Sequence, residues 1–114
     1  MNDVVYHRNK VWYGESTTII IESGAGIVKV SFDRGDPFCA YIHDISVLET
    51  HRGCGLGRRL LSLAEEEAVR HKEVKSIKIN VEKGNFAYDW YVRNGYSRYG
   101  KSGTLLSLKK DVKQ

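Results

Sequence analysis

Three alternate glycines in the run Arg52-Gly53-Cys54-Gly55-Leu56-Gly57 join two different patterns. Before the run lies an apolar, β-branched stretch, Tyr41–Leu48; after it a helical pattern extends from about Arg58 to Lys72. A glycine-rich strand-to-helix turn lets the backbone approach a ligand with no Cβ in the way. The helix that follows aims its unbonded N–H groups and the positive end of its dipole at the same spot. These features together describe an anion site, with phosphate or pyrophosphate as the natural ligand. Two common phosphate motifs do not fit. A P-loop needs Lys and then Ser or Thr after its last glycine, but Arg58 and Arg59 follow Gly57. The dinucleotide fingerprint needs a glycine where Arg58 or Leu60 stands.

The spacing that does fit is Arg-x-x-Gly-x-Gly, with Val47 five residues upstream at the strand end and Leu60 and Leu61 in the helix. This pattern resembles the coenzyme A site of the GNAT superfamily of N-acetyltransferases; the usual Pro two residues after the Val is replaced by Glu49. The resemblance implies that backbone groups of Ile45, Ser46 and Val47 pair with the pantetheine arm of acetyl-CoA. It also implies that amides from Arg52 through Gly53, Cys54, Gly55, Leu56, Gly57 and Arg58 hold the pyrophosphate. A second stretch, Ala87-x-x-x-Tyr91-x-x-x-Gly95-Tyr96, resembles another motif of the family, with Tyr96 in place of Phe. In that family the Tyr hydroxyl lies near the CoA sulfur, and a phenol suits reprotonation of a thiolate. Tyr91 is therefore the expected catalytic acid. The Asn that often precedes this motif is Gly84 here, and Asn85 comes one residue later, either reaching the CoA arm or capping the helix.

The amine must lose a proton as well as attack. Some family members place a His or Glu on the strand before the glycine loop. In a regular strand Tyr41, His43 and Ile45 share one face, and histidine titrates near neutral pH. His43 is the candidate base, with a water chain as its alternative and a structural histidine as the plainer reading.

At 114 residues, one domain over 1–114 is the expectation. No apolar run approaches the ~18 residues needed to span a membrane, and Met1–Arg8 lack a signal-peptide core. Two cysteines, Cys39 and Cys54, are too few for a secreted disulfide scaffold. The expected location is cytoplasmic. No His or Cys cluster has metal-ligand spacing, so no metal is expected. The net charge of +4 suits an anionic cofactor; the basic residues are scattered, which argues against nucleic acid.

Strands are expected at 17–22 and 27–32 as a hairpin, at 39–48, at 76–82 and at 96–99 with 104–108. Residues 1–16 offer one short strand. Helices are expected from about 58 to 72, with its apolar stripe on Leu56, Leu60, Leu63, Ala64 and Ala68 and Leu61 at its margin, and from 85 to 94, stopped by Gly95. The order implies an α/β (α+β) domain: a GNAT-like three-layer fold with a mixed central β-sheet flanked by helices, its N-terminal helical part reduced or absent. So short a member would have little acceptor-binding wall of its own, which a homodimer could supply. The expected activity is acetyl transfer from acetyl-CoA to a primary amine. The competing readings are a non-catalytic CoA-binding module and a basic nucleic-acid-binding domain.

Overall fold

The computed structural model describes residues 5–112. The first four residues of the 1–16 segment, read as offering one short strand, lie outside it. Among the described residues seven strands form one sheet: β1 (His7–Tyr13), β2 (Ser16–Ser23), β3 (Gly26–Asp33), β4 (Asp36–Val47), β5 (Ser76–Glu82), β6 (Ser97–Ser102) and β7 (Leu105–Asp111). Their spatial order is β1-β2-β3-β4-β5-β7-β6. Only β4 and β5 pair in parallel, with helix α1 (Leu56–Val69) connecting them. Helix α2 (Ala87–Arg93) links β5 to β6.

The sheet is mixed, in agreement with the sequence reading, and the two helices cover one of its faces, so sheet and helices make two layers among the described residues rather than three. The layer the reading left reduced or absent is the N-terminal helical one. Where it would enter, β1 turns directly into β2 through Gly14 and Glu15, with Gly14 at φ +58°. Both helices lie on one face. Tyr96, just past α2, donates to Glu65 of α1 at 2.8 Å, and a Cβ at Gly57 of α1 would sit 3.7 Å from Trp90 of α2. No helix among the described residues is long and apolar enough to cross a membrane.

Alternation on the strands explains the core. Ile19 and Ile21, Val28 and Val30, Ala40 and Ile42, Ile77, Ile79 and Val81, and Leu106 and Leu108 point under the helices and are all buried. Helix α1 meets them with Leu56, Leu60, Leu61, Ala64 and Ala68. The buried stripe is therefore centred nearer Leu61 than expected, and Leu63 is only partly covered. Pro37 interrupts β4 where the pairing with β3 shifts register, and β5 pairs only from Cys39 onward. A missing N–H costs least at such a position.

Strand β1 is longer and better paired than its polar sequence suggested: all seven residues are in register with β2. Its side chains are mostly exposed, so backbone bonds and one ion cluster hold it. Arg8 donates twice to Glu67 of α1, at 2.7 and 3.0 Å, and Arg70 donates to the same carboxylate at 2.8 Å. Glu67 is only 4% exposed. Burial alone would push its carboxyl up. The Arg8 hydrogen bonds and charge, with Arg70 and His71 behind them, outweigh that and hold it below the usual carboxylate range. A carboxylate whose folded pKa is depressed contributes stability above its unfolded value, and that contribution is lost as pH falls through the folded value. The melting temperature should therefore fall on acidification from about pH 6 to pH 3. Glu67→Gln should start lower by ~1–3 kcal/mol of stability and lose part of this acid dependence. An unchanged acid profile in Glu67→Gln would remove the cluster from this account.

Candidate functional site

The loop between β4 and α1 is built by conformations that glycine favours. Gly53 and Gly55 sit at φ +84° and +86°, in the left-handed region, and Gly55 caps α1. A 3₁₀ turn over Glu49–His51 precedes them. Arg52 folds back and donates from Nε to the Val47 carbonyl at 3.2 Å, tying the loop to the strand end. Cys54 donates its thiol to the His51 carbonyl at 2.8 Å. The first helical bond runs from the Arg59 amide to the Gly55 carbonyl at 3.0 Å. The amides of Gly53 through Arg58 therefore lie ahead of the helical ladder, and none donates to a backbone carbonyl among the described residues. A row of uncommitted amides at a helix N-terminus, flanked by Arg52 and Arg58, is an electropositive cradle.

Beside the cradle the sheet opens. Pairing between β4 and β5 runs from Cys39↔Ser76 to Ile42↔Ile79 and stops there. From His43 to Val47, β4 has no partner on its β5 side among the described residues, while β5 continues against β7 to Glu82. A cavity of about 530 Å³ fills the junction. It is lined by Ile45, Ser46 and Val47 of β4, by Arg52, Gly53, Gly55, Gly57 and Arg58 of the loop and helix, and by Phe86, Ala87, Trp90 and Tyr91 around α2.

One backbone detail sets which side chains reach this cavity. Between Ile27↔Ser46 and Lys29↔His43, β3 advances two residues and β4 three. The extra β4 residue is a bulge, and it inverts the alternation beyond it. The unbroken alternation read from the sequence, with Tyr41, His43 and Ile45 on one face, therefore does not hold. Tyr41 and His43 point to the face without helices; Ile45 and Val47 turn to the helix side and pack on the core.

The sequence-derived candidates separate accordingly. Ile45, Ser46, Val47, Arg52, Gly53, Gly55, Gly57, Arg58 and Tyr91 come together around the cavity. Leu56 buries its side chain in the core, 4% exposed, and brings only its amide to the cradle. Cys54 is exposed and does not line the cavity. Asn85 lies just ahead of α2 and does not line the cavity; its Oδ1 accepts from the Ala87 amide at 2.8 Å. His43 is exposed on the other face, one residue past the last β4–β5 pair, so it stands at the mouth of the gap from the opposite side.

Tyr91 is buried at 7% exposure and held by edge-to-face contacts with Trp90 (5.2 Å) and Tyr96 (5.9 Å). Tyr96 is driven far above the ordinary phenol value by burial, with the Glu65 charge and hydrogen bond adding to it. It is a neutral donor to α1 and seats the end of α2 against the core. On the open face Tyr41 is pushed up to about 12, first by its 2.6 Å hydrogen bond to Asp36 and then by burial.

Phe86 was not among the candidates, although it is 81% exposed and stands on the cavity wall. A single aromatic beside Asn85 gives no signal in sequence that separates it from packing. Among the described residues no group of His, Cys, Asp and Glu side chains could hold a metal ion.

The chain resembles known proteins along most of its length. Residues 4–96 match the model of the Acetyltransferase (GNAT) family. The solved structure of nourseothricin acetyltransferase superposes with a TM-score of 0.71 at 27% identity, covering 88% of this chain and 67% of that one. The PaiA N-acetyltransferase from Thermoplasma acidophilum, solved in complex with coenzyme A, gives 0.70 at 15% identity, covering 85% of this chain and 61% of that one. An acetyltransferase of the GNAT family from Streptococcus pneumoniae gives 0.71 at 20%, covering 87% and 68%. At these lower identities the likeness is one of fold. No curated protein matches the chain. With the family model spanning residues 4–96, the chain belongs to the acetyltransferase (GNAT) family.

Proposed function

We propose that this protein is an acetyl-CoA-dependent N-acetyltransferase, carrying an acetyl group to a primary amine by direct attack on the thioester. The observation that carries the reading is the continuity of three features: the amide cradle at Gly53–Arg58, the 530 Å³ cavity, and the unpaired edge of β4 at Ile45–Val47. Their chemistry fits coenzyme A. The cradle and the arginines suit a pyrophosphate. The free strand edge suits an extended arm bearing amides, which would bind as an added strand does. Arg52, Gly53, Gly55, Gly57 and Arg58 would hold the phosphates, and Ile45, Ser46 and Val47 the arm.

In the reaction the amine nitrogen forms a bond to the acetyl carbon, the carbon–sulfur bond breaks, and the thiolate leaves as free CoA. Two protons must move. Tyr91, on the cavity wall and packed in place by Trp90 and Tyr96, is the donor proposed for the thiolate. His43, on the open face at the end of the β4–β5 pairing, is the acceptor proposed for the amine proton, directly or through a water. On this reading acid and base stand on opposite faces of the sheet, with the β4–β5 gap between them. The protein is proposed to work in the cytosol, where free thiols such as Cys39 and Cys54 persist.

A thiol-release assay tests the activity. Acetyl-CoA with an amine acceptor should liberate free CoA in proportion to amine, and the product should carry one acetyl group by mass. Tight CoA binding with no amine-dependent release from any primary amine would favour the second reading, a CoA-binding module without catalysis.

A further inference from the structure

The acceptor is undefined by the reaction alone, and the following rests on the acetyl-transfer reading. Strand register gathers one set of side chains on the face without helices. Lys29 of β3 stands opposite His43 of β4, and Tyr41 of β4 opposite Lys78 of β5. Lys78 and Asn80 of β5 stand opposite Lys109 and Ser107 of β7. The Lys78 ammonium lies 5.8 Å from the Tyr41 ring centroid and 5.5 Å from that of Tyr99; the Lys109 ammonium lies 5.6 Å from Tyr99. Among the described residues Lys29, Lys78 and Lys109 form no ion pair. Among the described side chains the carboxylates of this face stand at its ends, Glu22 and Glu82 at one and Asp33, Asp36 and Asp111 at the other. Asp36 is engaged by Tyr41 and Glu82 by Thr104. A cationic strip therefore crosses from β3 to β7, ~14 Å at about 4.8 Å per strand. The mouth of the β4–β5 gap, with His43, lies at its middle.

The strip has two chemical consequences. Neighbouring ammonium groups lower the pKa of an incoming amine, which favours the neutral nucleophile. They also repel any acceptor whose only charge is that amine, so a suitable acceptor brings negative charge on either side. A small amine needs a concave pocket that encloses it. This face is an open sheet surface with no helix on it among the described residues, and its charge spans more than a small amine can reach. We propose that the open face binds an acidic segment of polypeptide and presents a primary amine of that segment at the β4–β5 gap, between His43 and Asn80. Nucleic acid would be drawn to the same lysines and tyrosines, but it offers no primary aliphatic amine to acetylate, so the polypeptide is the occupant the chemistry favours.

The test reads binding rather than turnover. Dye-labelled peptides carrying one lysine flanked by two glutamates on each side, or by glutamines, or by arginines, are titrated with the full chain by fluorescence anisotropy. The glutamate peptide should bind at least tenfold tighter than the glutamine peptide, and the arginine peptide most weakly. The double variant Lys78→Gln, Lys109→Gln should erase that preference while its acetyl-CoA affinity stays unchanged. Should the double variant fail to fold, the charge series and its loss in high salt on the unmodified chain decide the matter. Equal affinity for the three peptides overturns the proposal, as does an unaltered preference in the folded double variant. An oligonucleotide that displaces the glutamate peptide at lower concentration would make this a nucleic-acid surface instead. A dimer in sedimentation that the double variant dissociates would show a second copy seated there. Acidic-peptide binding without acetylation would leave this surface standing and count against the acetyl-transfer reading alone.

Discussion

Replacing Gly57 with leucine should lower acetyl-CoA affinity by at least ~100-fold while the protein stays folded, because the new side chain would enter the cavity proposed for the cofactor. Gly57 is the second residue of α1 and lines the cavity. Its backbone is helical, so the substitution brings no left-handed strain. A Cβ there would lie 3.7 Å from both Trp90 Cζ2 and Val47 Cγ2, an ordinary contact distance. A methyl group is therefore tolerated, and Gly57→Ala should cost little. The three further carbons of leucine would project between Trp90 and Val47, into the path proposed for the cofactor arm. Gly55 offers the contrasting case. A Cβ there meets nothing within 4 Å, but φ is +86°, so Gly55→Ala should strain the loop by about 1–2 kcal/mol and weaken binding by distorting the cradle. Calorimetry on Gly57→Leu beside its melting curve separates the two effects. A folded Gly57→Leu variant that binds acetyl-CoA normally would remove the cavity from the mechanism.

Tyr91→Phe should reduce kcat by ~10²–10⁴-fold with little change in acetyl-CoA affinity, the range typical for loss of a positioned general acid. Phenylalanine keeps the ring and hence the edge-to-face contacts with Trp90 and Tyr96. The variant removes one hydroxyl from a wall that otherwise stays in place. An interaction made only in the transition state lowers kcat and kcat/KM together, whereas a binding role would raise KM instead. Steady-state kinetics over a range of acetyl-CoA concentrations distinguishes these. Full activity in a folded Tyr91→Phe protein would reassign the acid to another group or to solvent.

The glycine loop and the strand–helix order around it were legible because each depends on a local rule. Left-handed positions demand Gly53 and Gly55, and an apolar stripe at helical spacing demands a face to cover. Three other features were not legible. The bulge in β4 adds one residue to an otherwise regular strand, and nothing in Tyr41–Val47 marks where it falls. It decides whether His43 and Ile45 share a face, so the location of the candidate base was out of reach. Strand β1 has few apolar residues to alternate; backbone pairing and the Arg8–Glu67 contact, 59 positions apart, hold it. Glu67 sits among surface-type residues on α1 and is buried only because β1 delivers Arg8 to it. Each of these depends on partners distant in sequence, where local pattern carries no signal.

The central claim is that the cradle and cavity between β4, α1 and α2 bind coenzyme A. Isothermal titration of the protein with acetyl-CoA, with CoA and ATP as comparisons, tests it most directly. The account predicts micromolar or tighter binding of acetyl-CoA and CoA, with ATP much weaker, because only the first two carry an amide-bearing arm able to pair with the β4 edge at Ile45–Val47. Equal binding of ATP, or no heat with any of the three, would contradict it and leave the glycines as a turn between a strand and a helix.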